Sequence, residues 1–423
     1  MQINRRKVLG ASAFLAGSAS LGVHSIARAT EIDTSALAPI TGNAEPIGRD
    51  ERAARVERVR RLMAANDIAA IVLEPGSSMV YFTGVRWRRS ERLTAAVIPA
   101  TGMPFIVTPF FERPSVAESL EIDADIHVWQ EDESSTELLA RQLRAIGLGK
   151  SRIGFEETVR FFASDGLAHA MPDARIVSAD AVVRGCRMRK TANEIALMHV
   201  ASDVTKAAYE WAVPQIRAGM TNRQISALMD AATRALGGAP EFSMVLIDEA
   251  SAYPHGTGKP QVVRPGSTVL FDCGCTVEDY QSDISRTVFS GEPDPAAMAT
   301  WHLVREGQNT AFAAAQLGQS AGSVDDAVRA LYESKGLGPR YRLPGLSHRT
   351  GHGIGMDGHE PVNLVHGEAT KLDIGMCFSN EPGIYYPGRF GVRQEDCFYM
   401  TEKGPCWFTE PSAEPNLLFG ARQ

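Results

Sequence analysis

The chain has 423 residues, with 43 lysines and arginines against 50 aspartates and glutamates, so its formal net charge is −7. This negative charge disfavours nucleic-acid binding, because the protein would repel the phosphate backbone. Hydrophobic residues make up 44% of the chain, which excludes a largely disordered protein. The length predicts two domains, and six cysteines are too few for a fold that depends on disulfides.

The N-terminus resembles a twin-arginine export signal. Arg5 and Arg6 precede a mildly apolar stretch that runs to Val23, and a small-residue cleavage site follows at residues 27–29. We expect cleavage after Ala29, a periplasmic or secreted protein, and no stable membrane insertion after cleavage. An uncleaved N-terminal anchor helix is the alternative. Residues 30–47 lack hydrophobic periodicity and are expected to form a linker.

The next part of the chain, residues 48–185, alternates helical and strand patterns. Val56, Val59 and Met63 recur at helical spacing, and the apolar run 68–73 predicts a strand that Pro75 and the glycine after it end. Further short apolar runs, separated by turn residues or by a helical segment at 138–146, predict strands at 95–99, 103–108, 126–129 and 152–155. This alternation predicts an α/β domain.

Residues 186–423 begin with two predicted helices and continue as a strand-rich region. Thr191 with Glu194, and Thr221 with Gln224, have the capping-box spacing that starts a helix. Pro214 should end the first helix and the glycine pair at 237–238 the second. Hairpin-like pairs from residue 243 onward, with helical segments at 296–317 and 324–334, predict an α+β domain.

Four acids accompany two of the predicted hairpins. Asp272 and Asp283 lie on strand-like runs joined by a turn at residues 276–280, so the hairpin could bring both carboxylates to one face. Glu381 and Glu395 flank a second hairpin with its tip at residues 386–389. Converging carboxylates repel one another. Two divalent ions would balance their charge and could activate water.

A segment rich in histidine and glycine lies between the two hairpins. It runs from Ser347 to Gly355, and His352 at its centre could add one imidazole to the four carboxylates. Oxygen-rich ligation with one imidazole suits manganese, cobalt, iron or zinc. The sequence therefore predicts a metal centre without selecting the metal.

In order, spacing and flanking residues, these segments resemble the pita-bread metallopeptidases, which include aminopeptidase P, prolidase and methionine aminopeptidase. The run Thr350 to Gly355, followed by His359, Glu360 and Pro361, is similar to the signature of the Xaa-Pro branch. The resemblance implies two divalent ions, most often manganese, held by Asp272, Asp283, His352, Glu381 and Glu395. Residues 48–185 resemble the creatinase/prolidase N-terminal domain, so the expected fold is a creatinase-like α/β domain followed by a pita-bread α+β domain.

The resemblance also implies roles for residues around the metal ligands. It places His255, His348 and His359 in the substrate cleft, where an imidazole can donate to a developing oxyanion. Arg393 shares a strand face with Glu395 and can brace a carboxylate, and Tyr385 matches a tyrosine near the site. The other histidines considered are expected to be structural: His127, His169, His199, His302 and His366.

The predicted activity is metal-dependent hydrolysis of the peptide bond before proline, with Glu381 transferring the proton. The substrate would be a peptide or a small amide. One alternative keeps the scaffold but acts on a small molecule, as a C–N hydrolase or a lyase. Another is a secreted metal-containing binding protein, which the additional histidines disfavour.

The resemblance implies a homodimer as well. The basic loop at residues 86–92 contains Trp87 and Arg88, and one of them could close the neighbouring subunit's cleft. An arginine there could bind a substrate carboxylate. The alternative is a solvated charged loop with a packed tryptophan.

Overall fold

The computed structural model describes residues 32–421. The export signal predicted at residues 1–29 therefore lies outside the described residues. Within the described part of the chain, no helix is both long enough and apolar enough to cross a membrane. The six cysteines, all of which lie in this part, are free thiols.

The first half of the described chain forms a six-stranded mixed sheet. Its strands are β1 (Ala70–Leu73), β2 (Ala95–Pro99), β3 (Phe105–Pro109), β4 (Asp125–Trp129), β5 (Arg152–Phe155) and β6 (Arg175–Ser178). Their order across the sheet is β4-β3-β2-β1-β5-β6. The strand β2 is antiparallel to both of its neighbours, and the remaining pairs are parallel.

Helices cover both faces of this sheet. They are α1 (Arg49–Ala65), α2 (Ser77–Thr83), α3 (Arg113–Ser119), α4 (Ser135–Ala145), α5 (Phe161–Ala170) and α6 (Asp180–Arg187). Side chains alternate along a strand, so Ile71 and Leu73 pack in one core with α1, α2 and α6. Ala70 and Val72 pack in the other core with α4 and α5. The predicted α/β class is confirmed for this half.

The second half of the described chain contains four α-helices: α7 (Ala192–Ala212), α8 (Asn222–Ala235), α9 (Pro295–Ala314) and α10 (Ala321–Ser334). Both predicted capping boxes are present, at Thr191 with Glu194 and at Thr221 with Gln224. The helix α7 ends two residues before Pro214, as expected for a residue that cannot continue a helix.

The strands of the second half form two larger sheets and a hairpin. They are β7 (Ala239–Ile247), β8 (Ser267–Val277), β9 (Tyr280–Gln281), β10 (Ile284–Ser290), β11 (Gly351–Gly353), β12 (Glu360–Leu364), β13 (Cys377–Asn380), β14 (Gly383–Tyr386), β15 (Phe390–Arg393), β16 (Asp396–Thr401) and β17 (Gly404–Trp407). One sheet has the order β10-β8-β7, with β9 paired to β8, and the other has the order β12-β11-β13-β16-β17. The strands β14 and β15 form the hairpin.

The described part of the predicted linker, residues 32–47, contains neither helix nor strand. It is nevertheless attached to the folded body, because Ile40 N donates a hydrogen bond of 2.9 Å to Leu236 O at the end of α8. Ile47 is buried in the core beneath α1. This segment is therefore anchored to the folded body by the backbone of Ile40 and the side chain of Ile47, while most residues between them are exposed.

Candidate active site

The first pair of acids is positioned by the hairpin of β8, β9 and β10. Glu278 and Asp279 form its turn with positive φ angles, which suit a two-residue hairpin turn. Asp272 lies in β8 directly opposite Ser285 of β10. Asp283 occupies the break between β9 and β10, two residues before Ser285. The predicted hairpin therefore brings both aspartates to one place.

The second pair of acids lies where two antiparallel ladders meet. Asn380 of β13 pairs with Asp396 of β16, and Gly383 of β14 pairs with Arg393 of β15. Glu381 and Glu395 lie between these two pairs on opposite strands. Antiparallel pairing thus places the two carboxylates side by side, as the hairpin pattern predicts.

A backbone bridge joins the two pairs of acids. Glu395 N donates a hydrogen bond of 3.0 Å to Ser285 O, which connects β10 to the segment just before β16. The contact places Asp272, opposite Ser285, close to Glu395. It joins residues 110 positions apart in the sequence.

His352 completes the cluster from β11. Its Nδ1 lies 3.0 Å from Gly353 O, so Nδ1 is the donor and Nε2 is free to act as a ligand. The Nε2 atom lies 3.2 Å from Glu381 Oε1 and 3.8 Å from Asp283 Oδ2. The five predicted ligands belong to three overlapping triplets of residues, and within each triplet the ligating atoms lie within 4.8 Å of one another. Two of these triplets consist of predicted ligands alone.

Two buried carboxylate oxygens in this cluster, Asp283 Oδ1 and Glu395 Oε1, have no hydrogen-bond partner among the described residues. Burial and then the neighbouring Glu395 raise the pKa of Asp283, and burial and then Glu381 raise the pKa of Glu395. Uncompensated buried carboxylates are costly. Divalent cations would remove that cost, so the donor set fits the expected pair of metal ions.

Ser285 and Arg393 form hydrogen bonds with the carboxylates of the acids. The Ser285 hydroxyl lies 3.0 Å from Asp272 Oδ1 and 2.7 Å from Glu395 Oε2, and it accepts a hydrogen bond of 2.9 Å from Arg393 Nε. Arg393 Nη2 donates to Asp272 Oδ2 at 2.5 Å. The sequence analysis predicted Arg393 but missed Ser285. The available signal was the two-residue spacing from Asp283, which puts both side chains on one strand face.

His348 and Tyr385 form a buried pair beside Arg393. His348 Nδ1 donates to Arg349 O at 2.7 Å, so its Nε2 accepts from the Tyr385 hydroxyl at 2.8 Å. Burial lowers the pKa of His348 and raises the pKa of Tyr385 to about 12. Both groups are therefore neutral near pH 7. With both ring nitrogens engaged, His348 holds Tyr385 in place and has no free N–H for an oxyanion.

The acids lie in a cleft of about 730 Å³ whose lining also includes His255, His348 and His359. His359 is exposed in the cleft, with its ring edge-on to His352 at 4.2 Å between centroids. The cleft walls partly desolvate its ring, and this desolvation, together with the nearby His352, lowers the pKa of His359 to about 4, so a neutral ring with one N–H is present near pH 7. The five histidines expected to be structural do not line this cleft.

The basic loop at residues 86–92 is partly packed against the protein and partly exposed to solvent. Trp87 packs against the core of the N-terminal half and donates from Nε1 to Glu112 Oε2 at 3.1 Å. These contacts match the packed tryptophan that was the alternative prediction. Arg88 is exposed.

Comparisons with known sequences identify the family. The model of metallopeptidase family M24 matches residues 196–402, and that of the creatinase/prolidase N-terminal domain matches residues 55–189. A Xaa-Pro dipeptidase of Lactobacillus helveticus is 31% identical over 362 residues, which are 84% of this chain and 96% of that protein. The probable dipeptidase PepE of Mycobacterium tuberculosis is 31% identical over 342 residues, covering 80% and 88%. The chain belongs to metallopeptidase family M24.

Solved structures have the same two-part architecture. Dipeptidase PepE from Mycobacterium ulcerans superimposes with a TM-score of 0.80 at 31% identity, covering 88% of this chain and 98% of that one. The Xaa-Pro dipeptidase from Bacillus anthracis gives a TM-score of 0.75 at 28% identity, covering 86% and 98%. The expected fold, a creatinase-like domain followed by a pita-bread domain, is confirmed.

Proposed function

We propose that this chain is a metal-dependent peptidase that hydrolyses the bond before proline, with Xaa-Pro dipeptides as its main substrates. The observation that carries the proposal is the convergence of four carboxylates and one imidazole at an open cleft, with two buried carboxylate oxygens left without hydrogen bonds. The relatives named Xaa-Pro dipeptidase support the substrate class.

Two divalent ions, when bound, polarise the scissile carbonyl and make water a stronger nucleophile. Asp272, Asp283, His352, Glu381 and Glu395 would hold them. Manganese is the proposed metal, and reconstitution of the metal-free protein with manganese, cobalt, iron and zinc in turn tests that choice. Elemental analysis should find up to two ions per chain, and Asp283→Asn should lose at least one.

Glu381 is suited to move the proton. Its side chain is 13% exposed and faces the cleft, with Oε1 3.2 Å from His352 Nε2. Burial alone would raise its pKa, but the nearby imidazoles of His352 and His348 and the charge of Arg393 bring the pKa below the ordinary value. Glu381 is therefore ionised near pH 7. It can accept a proton from the attacking water and pass it to the leaving nitrogen.

The histidines and the shape of proline complete the substrate site. His359 and His255 line the cleft, and an imidazole N–H there can donate to the oxyanion that forms during attack. Proline has no amide hydrogen and a fixed φ angle. A cleft that recognises it needs shape and a donor for the carbonyl, rather than an acceptor for an N–H group.

A set of dipeptides tests the proposal. Xaa-Pro dipeptides should be cleaved by the manganese-loaded protein at a kcat/KM at least tenfold above that for the matching Xaa-Ala dipeptides. Longer peptides with proline at the second position distinguish a dipeptidase from an aminopeptidase. Absence of hydrolysis of every proline peptide by protein that contains its metal would refute the proposal and favour a small-molecule substrate.

We also propose that the chain is exported through its twin-arginine segment, which requires the paired arginines. Replacing Arg5 and Arg6 by lysine together should leave the precursor in the cytoplasm. The exported form should begin at residue 30, and an exported form that still begins at Met1 would contradict the cleavage.

A homodimer is the proposed assembly. Phe111 and Phe161 are 55% and 78% exposed and lie near the basic loop, since Arg92 stacks on Phe111 and Arg160 donates to Ser90 O. Exposed aromatic patches often mark interfaces. Light scattering should give twice the chain mass, and Phe161→Asp should lower it. A strict monomer would refute the assembly.

A further inference from the structure

The loop of residues 354–361, which carries His359, accepts hydrogen bonds from Gln281 at Gly355 O and Met356 O and contains one buried glutamate that binds it to the rest of the protein. Glu360 is 5% exposed and receives two cations, Arg187 Nη2 at 2.5 Å on Oε1 and Lys190 Nζ at 2.9 Å on Oε2. The same Oε1 also accepts the backbone N–H groups of Met356 at 3.0 Å and Asp357 at 3.2 Å. Glu360 therefore binds the loop backbone and both cations at once.

The N-terminal half holds this loop from the opposite side to the cleft. Arg187, at the end of α6, also donates to Asp357 Oδ2 at 2.7 Å and to Ser78 Oγ at 2.9 Å. Ser77, at the start of α2, donates to the other oxygen of Asp357. A planar guanidinium that satisfies three acceptors in fixed directions sets the position of the loop more strictly than a point charge would.

Cavities lie on both sides of the loop. Asp357 and His359 line the cleft of about 730 Å³, and they also line a smaller chamber of about 220 Å³ beside Arg187 and Glu360. Asp357 and His359 thus lie between two cavities, whereas Ile354 and Met356 at the start of the loop are buried in the hydrophobic core. The ionic contacts of Glu360 and Asp357 hold the part of the loop that lies between the two cavities.

His359 itself depends on the loop backbone for its position. Its ring takes part in no hydrogen bond or ion pair between described residues, and its ring contact is the edge-on approach to His352. Apart from this ring contact, the position of the imidazole is set by its own backbone. A shift of the loop would therefore move the ring directly.

We propose that Arg187 is a positioning residue that, through Glu360 and Asp357, holds His359 in the active-site cleft. The N-terminal half of the chain thereby contributes to turnover without touching the substrate. The kinetic part of this inference rests on the proposed Xaa-Pro hydrolysis. The structural part, the order of residues 354–361, does not depend on any substrate.

Arg187→Met tests the inference, with Arg160→Met as the matched control. Arg160 pairs with the buried Glu74 at 2.7 Å in the N-terminal half and does not line the cleft. Hydrogen exchange measured by mass spectrometry should speed up at least tenfold in residues 354–361 of Arg187→Met and remain unchanged there in Arg160→Met. Unchanged exchange in Arg187→Met would overturn the proposal whatever the protein hydrolyses.

Kinetics then show whether the effect passes through His359. Arg187→Met should lower kcat by roughly 10²-fold, the size of effect expected when a catalytic group is misplaced, with KM changed less than threefold and metal content unchanged. In a His359→Ala background the same change should cost less than threefold. Equal losses in the two backgrounds would show that Arg187 does not act through His359.

Arg187→Lys keeps the positive charge but loses the planar guanidinium with its several donors. Compared with Arg187→Met, it should therefore retain part of the wild-type kcat and part of the slow hydrogen exchange. If Arg187→Met does not fold, hydrogen exchange and kcat are measured instead on Arg187→Lys and Asp357→Asn. Faster exchange without any hydrolysis by the wild type would refute the proposed function and leave the positioning of the loop intact.

Discussion

Replacing Ser285 by alanine should weaken metal binding without disturbing the fold. The side chain is fully buried, and its hydroxyl contacts Asp272 Oδ1, Glu395 Oε2 and Arg393 Nε within 3.0 Å. In Ser285→Ala, the two carboxylates lose the single O–H that lies between them, and the guanidinium loses an acceptor. Each hydrogen bond to a charged group contributes about 1.5–3 kcal/mol.

The expected loss in metal affinity is about 10- to 100-fold, which is typical when a group that orients metal ligands is removed. It corresponds to about 1.4–2.8 kcal/mol in binding free energy. Competition of the metal-free protein with a chelator for cobalt or manganese measures it directly. The loss should appear without substrate, since it arises from ligand orientation alone.

Ser267→Ala is the control for this measurement. Ser267 lies in the same strand as Asp272 and is 3% exposed. Its hydroxyl donates to Asp248 Oδ2 and accepts from Arg264 N, both at 2.9 Å. This substitution removes a similar hydroxyl from a similar pair of contacts away from the cleft. Equal metal affinities for Ser285→Ala, Ser267→Ala and the wild type would refute the role of Ser285.

Three other outcomes are expected. Glu381→Gln should lower kcat by about 10²-fold or more, because an amide cannot accept the proton. Since Glu381 is also a proposed metal ligand, metal content must be measured together with the rate. Near-normal activity would exclude Glu381 as the group that transfers the proton. Burial alone would raise the pKa of Glu360, but Arg187 and Lys190 lower it to about 2. The ionised carboxylate therefore stabilises the folded protein above about pH 4.5, and this stabilisation is lost as the pH falls toward 2. Urea unfolding should therefore show Glu360→Gln less stable than the wild type by about 3 kcal/mol at pH 7 and the difference shrinking below pH 4.5; a constant difference would contradict the assignment. Gly355→Ala should lower stability, because a Cβ there would lie 2.7 Å from Lys190 Cε and 3.0 Å from both Glu360 oxygens; an unchanged midpoint of thermal unfolding would show that the loop adjusts freely.

Features set by residues close together in the chain could be predicted from the sequence. The capping boxes at Thr191 and Thr221 need only residues three positions apart. The pairing of Asp272 with Asp283, and of Glu381 with Glu395, needs only a turn and the two-residue repeat of a strand. The same local rules predicted the short strands and helices of the N-terminal half, whose alternation predicts an α/β fold.

The assembled site depends on contacts between distant parts of the chain. Ser285 contacts Glu395, which is 110 residues away in the sequence, and Arg187 contacts Glu360, which is 173 residues away. The two-residue spacing from Asp283 marks the strand face of Ser285 but not its contact with Glu395, and Arg187 has no local pattern that marks its partner, since most residues of these types lie at the surface. The sequence by itself determined the acids, their pairing and the expected family. Apart from Arg393, which the family resemblance already placed beside the site, only the tertiary structure decided which buried groups support the acids, because those partners depend on how the two sheets and the two halves pack together.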